Sequence, residues 1–112
     1  MDCLFCKIIA GEIPSKKVYE DDNVYAFYDI EPQAPVHFLV IPKAHIKSTA
    51  EITPENSQYV AKAFEAIAKI AKELGLENGF RVVANTGEDG LQTVPHLHFH
   101  VLGKRKMAWP PG

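Results

Sequence analysis

His96-Leu97-His98-Phe99-His100-Val101-Leu102 alternates imidazole with apolar side chains. Along an extended strand successive side chains point to opposite faces, and those two apart share a face about 6.5 to 7 Å from one another. The pattern predicts a strand over residues 96–102, with Leu97, Phe99 and Val101 on a core face and three imidazoles on the other. One strand histidine is usually a half-buried polar residue satisfied by the backbone. Three in register serve no packing purpose. Burial and mutual repulsion both disfavour the imidazolium form, so the row supplies neutral imidazole near pH 7, as nucleophile or as ligand.

Such a strand needs partners and a cover. Residues 24–28, 38–41 and 80–84 are β-branched and aromatic runs bounded by turn signals, and the first two are joined by Asp29-Ile30-Glu31-Pro32-Gln33-Ala34-Pro35, stiffened by its prolines. Between strands, residues 54–74 predict a long helix: Thr53 as N-cap, Pro54 at the first position, Gly75 as the stop, and Val60, Phe64, Ile67, Ala71 and Leu74 as its apolar stripe. Lys62, Glu65, Lys69, Lys72 and Glu73 occupy its other faces. At 1.5 Å per residue it would run about 31 Å, enough to cover one face of a small sheet. Residues 3–10, closed by Gly11, predict a short helix or a strand. The expected class is α+β, a mostly antiparallel sheet of about five strands with one long and one short helix.

At 112 residues with 46% hydrophobic content, the chain suits a single domain over residues 1–112, with residues 103–112 as a carboxy-terminal tail. A net charge of −2 gives no positive field for nucleic acid. Its longest apolar runs, such as Phe38-Leu39-Val40-Ile41, fall far short of the roughly 18 residues of a membrane span. Met1 to Lys7 lack the pattern of a secretory signal, which predicts a cytoplasmic protein. In that reducing setting the C-x-x-C pair Cys3 and Cys6 suggests half a metal site or a redox pair; the bland alternative is two apolar helix-face residues. Residues 85–95, rich in glycine, amides and hydroxyls, lead into the histidine stretch as a candidate anion cradle.

His96-Leu97-His98-Phe99-His100-Val101-Leu102 resembles the signature of the histidine-triad (HIT) superfamily. Residues 29–46 and the final Trp109-Pro110-Pro111-Gly112 resemble its Hint branch, the histidine-triad nucleotide-binding proteins. The resemblance implies a homodimeric purine nucleoside phosphoramidase that releases a nucleoside monophosphate, typically AMP, and acts also on aminoacyl adenylates. It makes His98 the nucleophile, puts His100 and His37 beside the phosphate, and gives Gln92 and Thr93 as donors to phosphate oxygens or the leaving amine. Asp29 becomes the ribose anchor. Leu4, Phe5, Ile8, Phe27 and Ile30 become the apolar cleft for the base, and Asn85 contacts the sugar or phosphate side. Thr93 stands where the branch often has serine, and Leu91 where many close relatives carry glycine. Leucine disfavours positive φ, which bears on any backbone contact there.

Resemblance to microbial members implies a structural zinc held by Cys3, Cys6, His45 and His96, with no catalytic metal required. Two thiolates and two imidazoles close a tetrahedral shell. A rival reading makes His96, His98 and His100 a catalytic metal site, which strand spacing opposes because the outer pair would lie roughly 13 Å apart. A second alternative is a nucleotide-binding adaptor with little turnover. The resemblance also implies a dimer through the long helix and residues 80–84, with Trp109 near the partner's active site. Lys104-Arg105-Lys106 either steers acyl or amino-acid phosphoramidates or is a solvated face.

Overall fold

A computed structural model describes residues 3–112; Met1 and Asp2, with which the amino-terminal reading begins, lie outside them. Five strands, β1 (Lys17–Glu20), β2 (Val24–Tyr28), β3 (Val36–Pro42), β4 (Phe80–Val83) and β5 (Phe99–Gly103), form one antiparallel sheet in the order β1-β2-β3-β5-β4. Helix α1 (Leu4–Ile9) precedes it, and helix α2 (Ser57–Glu73) lies between β3 and β4 in the chain. The architecture is the expected α+β. The fifth strand, β1, carries only Val18 and Tyr19 as half-buried residues, too short an alternation to register as a signal.

Alternation along the central strands splits the core into two clusters. Val24 and Ala26 of β2, Phe38 and Val40 of β3, and Phe99 and Val101 of β5 face α2. Tyr25, Phe27, Leu39 and Ile41 face the other way, against Phe5 and Ile8 of α1. Both faces of β2 and β3 are thus covered, which is why their sequences are apolar almost throughout.

Three expectations are corrected. Helix α2 begins at Ser57, not Pro54, because the Asn56 side chain accepts the Thr53 N–H at 2.7 Å and the Asn56 and Ser57 amides both donate to the Thr53 carbonyl, closing a turn ahead of the helix. The helix is therefore 17 residues, about 26 Å. Its buried face is Ala63, Ala66, Ile67, Ile70 and Ala71, whereas Phe64 remains 45% exposed on its flank. Alanines let the helix axis approach the sheet closely, and the larger side chains sit to either side. Gly75 ends it as expected, at φ +73°, with the Gly75 and Leu76 amides donating back to Lys72 and Ala71.

The third correction concerns the histidine stretch. The strand starts at Phe99, since the Leu97 N–H donates to the Ile46 carbonyl and the His96 N–H to the Val94 carbonyl rather than to a ladder. Alternation survives nonetheless. Leu97, Phe99 and Val101 pack with α2, and the imidazoles of His98 and His100 face the α1 side.

Candidate active site and metal centre

His98 owes its chemistry to the carbonyl of His96. Its Nδ1 lies 2.7 Å from that oxygen, and because a carbonyl can only accept, Nδ1 carries the proton. The free nitrogen is Nε2, with an available lone pair. Burial pushes the pKa of His98 below its ordinary 6.5, against the Nδ1–H bond to His96 and the Asp29 charge, which both favour protonation. The ring is only 5% exposed and meets Phe5 edge to face, with centroids 5.1 Å apart at 90°.

The neighbouring ring is set the opposite way. The Gln33 N–H donates to His37 Nδ1 at 3.0 Å, so the proton of His37 sits on Nε2. That Nε2–H donates in turn to His100 Nδ1, also at 3.0 Å. His100 therefore carries its own proton on Nε2 and offers a donor where His98 offers an acceptor. Their ring centroids are 5.1 Å apart. Burial, followed by the charges of His98 and His37, lowers the pKa of His100 to about 4. Asp29 Oδ2 lies 3.5 Å from His37 Nε2 and 3.8 Å from His100 Nδ1, while Oδ1 accepts the Glu31 N–H at 2.8 Å. Asp29, His37 and His100 have the composition of a ligand set. With Nδ1 occupied by the Gln33 amide, however, His37 has no lone pair to give at Nε2, so the trio fits a hydrogen-bond relay better than a metal shell.

A cavity of about 480 Å³ opens over the rings of His98 and His100. It brings together Leu4, Phe5, Ile8, Phe27, Asp29, Ile30, Asn85, Thr93, His98 and His100, all singled out from sequence, and adds Ile13, Leu39, Leu91 and Val94, which carried no sequence signal as cleft residues except for Leu91. Leu4 and Ile30, 45% and 96% exposed, form its lip, while Ile8 is core and wall at once. His37 lines an adjoining hollow of about 740 Å³ that shares Asp29, Phe27 and Ile30.

Gln92 is not brought to the cleft. Its Nε2 donates to the carbonyls of Lys47 and Val94, at 2.8 and 3.1 Å, and its Oε1 accepts the Gly87 N–H. The amide that sequence offered as a phosphate donor instead ties down residues 85–95, helped by a Thr49–Thr86 hydroxyl pair. Gly90 is required in this loop, because a Cβ there would lie 2.5 Å from the Thr86 carbonyl oxygen. Leu91 adopts φ +60°, the left-handed conformation that glycine takes more readily, so the backbone path is glycine-like in spite of the side chain.

On the far side of His96 a second cluster gathers Cys3, Cys6, His45 and His96, with all four ligand atoms within 4.8 Å of one another. Cys3 is the N-cap of α1 and accepts the Cys6 N–H on its sulfur, so the C-x-x-C turn aims both thiols one way. The Cys3 Sγ and Cys6 Sγ lie 3.3 and 3.6 Å from His96 Nδ1, and Cys6 Sγ lies 3.4 Å from His45 Nδ1. A tetrahedron with Zn–S of about 2.3 Å and Zn–N of about 2.05 Å has S···N edges near 3.6 Å. These four residues form a candidate zinc site of structural type. His96 Nε2–H donates to the Pro42 carbonyl at 2.8 Å, which frees Nδ1 for the metal and orients the ring. Burial, then the hydrogen bond and charge of Cys3, push the Cys6 thiol up to about 11, so its thiolate needs a cation. Zinc bound here would supply a staple between α1 and the sheet.

No helix among the described residues is long and apolar enough to cross a membrane. Comparison with known proteins places the chain. A HIT domain pattern matches residues 10–107. The structure of a histidine triad protein from Clostridium difficile is 52% identical, with a TM-score of 0.93 over 96% of this chain and 95% of that one. A HIT family hydrolase from Legionella pneumophila is 48% identical, with a TM-score of 0.96 over 99% of this chain and 100% of that one. A 14 kDa zinc-binding protein of Brassica juncea is 47% identical over 113 residues, covering 99% of this chain and 100% of its own. Agreement of sequence and backbone over nearly the whole length means that this chain belongs to the HIT domain family.

Proposed function

We propose that the protein is a purine nucleoside phosphoramidase of the Hint branch, cleaving a phosphorus–nitrogen bond to release a nucleoside monophosphate, typically AMP, with aminoacyl adenylates as further substrates. The observation that carries this reading is the pairing of opposite tautomers over one cleft: a bare Nε2 on His98 beside an Nε2–H on His100. His98 Nε2 attacks the α-phosphorus. The P–N bond breaks with its electron pair going to nitrogen, which leaves as an amine after gaining a proton from solvent. The nucleotidyl-imidazole formed on His98 is cationic, and its Nδ1–H···O=C bond to His96 becomes charge-assisted as the charge grows. His100 Nε2–H and the Thr93 hydroxyl donate to phosphate oxygens, whose charge is redistributed in the transfer. Water then attacks phosphorus and restores the neutral ring. Asp29 accepts from the sugar hydroxyls, Asn85 contacts the sugar or phosphate side, and Phe5, Ile8 and Phe27 form the apolar seat of the base, with Leu4 and Ile30 above it.

The same reading includes a homodimer. β4 is an edge strand of the sheet, and Phe80 in β4 and Phe64 on α2 are 41% and 45% exposed, giving an apolar margin for a second copy. Trp109, 81% exposed and near Arg81, would then reach toward the partner's cleft.

Replacing His98 by alanine tests the chemistry. Hydrolysis of adenosine phosphoramidate should fall by at least about 10³-fold, as expected on losing a nucleophile, while AMP affinity stays within a few-fold. Rapid-quench trapping with phosphorus-labelled substrate should find the label on residue 98 of the native protein. Normal turnover by the variant, or label on another side chain, overturns the covalent route.

A further inference from the structure

Arg105 belongs to a basic run that the proposed chemistry does not use. Its Nε donates to the Gln33 carbonyl at 3.0 Å, across 72 positions of sequence. The N–H of that same residue is the donor to His37 Nδ1. Within the 29–35 connection the Glu31 N–H donates to Asp29 Oδ1 and Gln33 Nε2 to the Glu31 carbonyl, and its start is tied to β3 where the Asp29 N–H donates to the His37 carbonyl. Arg105 reaches the connection from outside, from the turn that follows β5. That turn is itself held: Lys104 sits at φ +69°, and its Nζ donates to the Gly75 carbonyl at the end of α2, at 2.7 Å.

The His37–His100 contact admits two proton arrangements. With the Gln33 N–H in place, His37 donates through Nε2 and His100 presents Nε2–H to the cleft. Without it, His37 can carry its proton on Nδ1 and accept from His100 Nδ1–H, which leaves His100 with a lone pair facing the phosphate oxygens. The second arrangement turns a donor into a repulsive contact. We infer that Arg105 is a positioning residue for the reaction: its bond to the Gln33 carbonyl holds the amide that fixes the His37 tautomer, and through it the donor that His100 offers to phosphate. The catalytic part of this inference rests on the phosphoryl-transfer reading above; the tautomer part does not.

The test uses the whole ¹⁵N-labelled protein with Arg105→Met, which keeps most of the aliphatic stem, and Arg105→Lys, which keeps a donor. In the native protein, ring ¹⁵N shifts should report the Nε2–H form for both His37 and His100. In Arg105→Met the His100 nitrogens should move toward a tautomeric average, and kcat for adenosine phosphoramidate should fall about tenfold, as on loss of an outer-shell partner. KM should rise by less than kcat falls, since the sugar and base contacts that carry most of the ground-state binding are unchanged. Arg105→Lys should bring kcat back to within about threefold of native and restore the ring shifts, because one hydrogen bond to the carbonyl suffices. Unmoved His100 nitrogens in Arg105→Met overturn the inference, as does a moved tautomer with unchanged kcat, or a rise in KM in place of the fall in kcat. Failure of the phosphoramidase reading would show separately, as absent turnover in the native protein, and the ring shifts would still decide whether Arg105 sets the tautomer.

Discussion

His96 and His98 stand two residues apart, both buried, and each gives one ring proton to a backbone carbonyl. They differ in which nitrogen gives it. His96 spends Nε2 on Pro42 and turns a bare Nδ1 toward two thiols; His98 spends Nδ1 on His96 and turns a bare Nε2 toward the cleft. The carbonyl that each ring meets thus decides whether its lone pair faces the thiols or the cleft. His96 also joins the two regions, since its ring completes the metal cluster while its carbonyl sets the tautomer of His98. Phe5 makes a second link: it lies between Cys3 and Cys6 in sequence and packs against both His96 and His98.

The comparison breaks most decisively at the metal side. Cys3→Ser removes one of four ligands and the sulfur that caps α1, so zinc content should fall from one per chain to well below it, and stability by roughly 4 kcal/mol, in the range of lost metal sites. Metal analysis and denaturant unfolding measure both. Hydrolysis at a temperature where the variant stays folded should persist, reduced about tenfold as the His96 carbonyl loosens. Prompt and complete loss, restored by added zinc, would instead point to a metal-bound water as nucleophile and would place His98 among the ligands.

How much of this was legible in the sequence depends on whether a residue acts through its side chain or through a neighbour's backbone. The alternation of Leu97, Phe99 and Val101 with the histidines assigned the faces correctly even though the strand itself begins only at Phe99, because facing follows from local extension and not from ladder pairing. Cys3, Cys6, His45 and His96 converge as the resemblance implied. Gln92 shows where the signal ends. An amide in a loop rich in hydroxyls and glycine suits a ligand or loop carbonyls equally well, and only the approach of Lys47 reveals which it meets. Likewise nothing in Gln33 or Arg105 as residue types announces a link to His100, since that link runs through main-chain atoms. The start of α2 was misplaced for a similar reason: Pro54 is equally suited to a turn, and Asn56 closes one.

The catalytic side can be sharpened by pH. Burial is the largest cause of the lowered pKa in His37, His98 and His100, and Asp29 is the charge that opposes it in each. Neutral His98 should therefore persist below pH 6.5, and the acid limb of kcat/KM should lie on the acid side of that value. Asp29→Asn removes a charge that favours the protonated rings, so it should move that limb to still lower pH while raising KM through the sugar contact. A limb displaced toward neutral pH would contradict the electrostatic role. Stability should follow the same groups. Between pH 6.5 and about 4 the unfolded chain binds more protons than the folded one, so the stability present above 6.5 should fall as pH drops through this window.

The smallest expected effect lies in the loop that faces both rings. Leu91 holds φ +60° with its side chain 74% exposed, so it bears the cost of a left-handed backbone without burying much apolar surface in return. For a residue with a Cβ that conformation costs roughly 1 to 2 kcal/mol. Glycine is free of this cost but gives back part of the gain through the extra freedom of its unfolded chain, about 0.5 to 1 kcal/mol. Leu91→Gly should therefore stabilise the protein by at most about 1.5 kcal/mol, read as a small rise in denaturant midpoint with unchanged slope. Leu91 also lines the cleft beside Thr93, and its removal should relax selection against bulky leaving amines, lowering KM for aminoacyl phosphoramidates relative to the unsubstituted one. A stabilised variant with an unaltered KM ratio would mean that the leucine is a backbone cost alone. A destabilised variant would mean that its partial contacts with the cleft outweigh the strain.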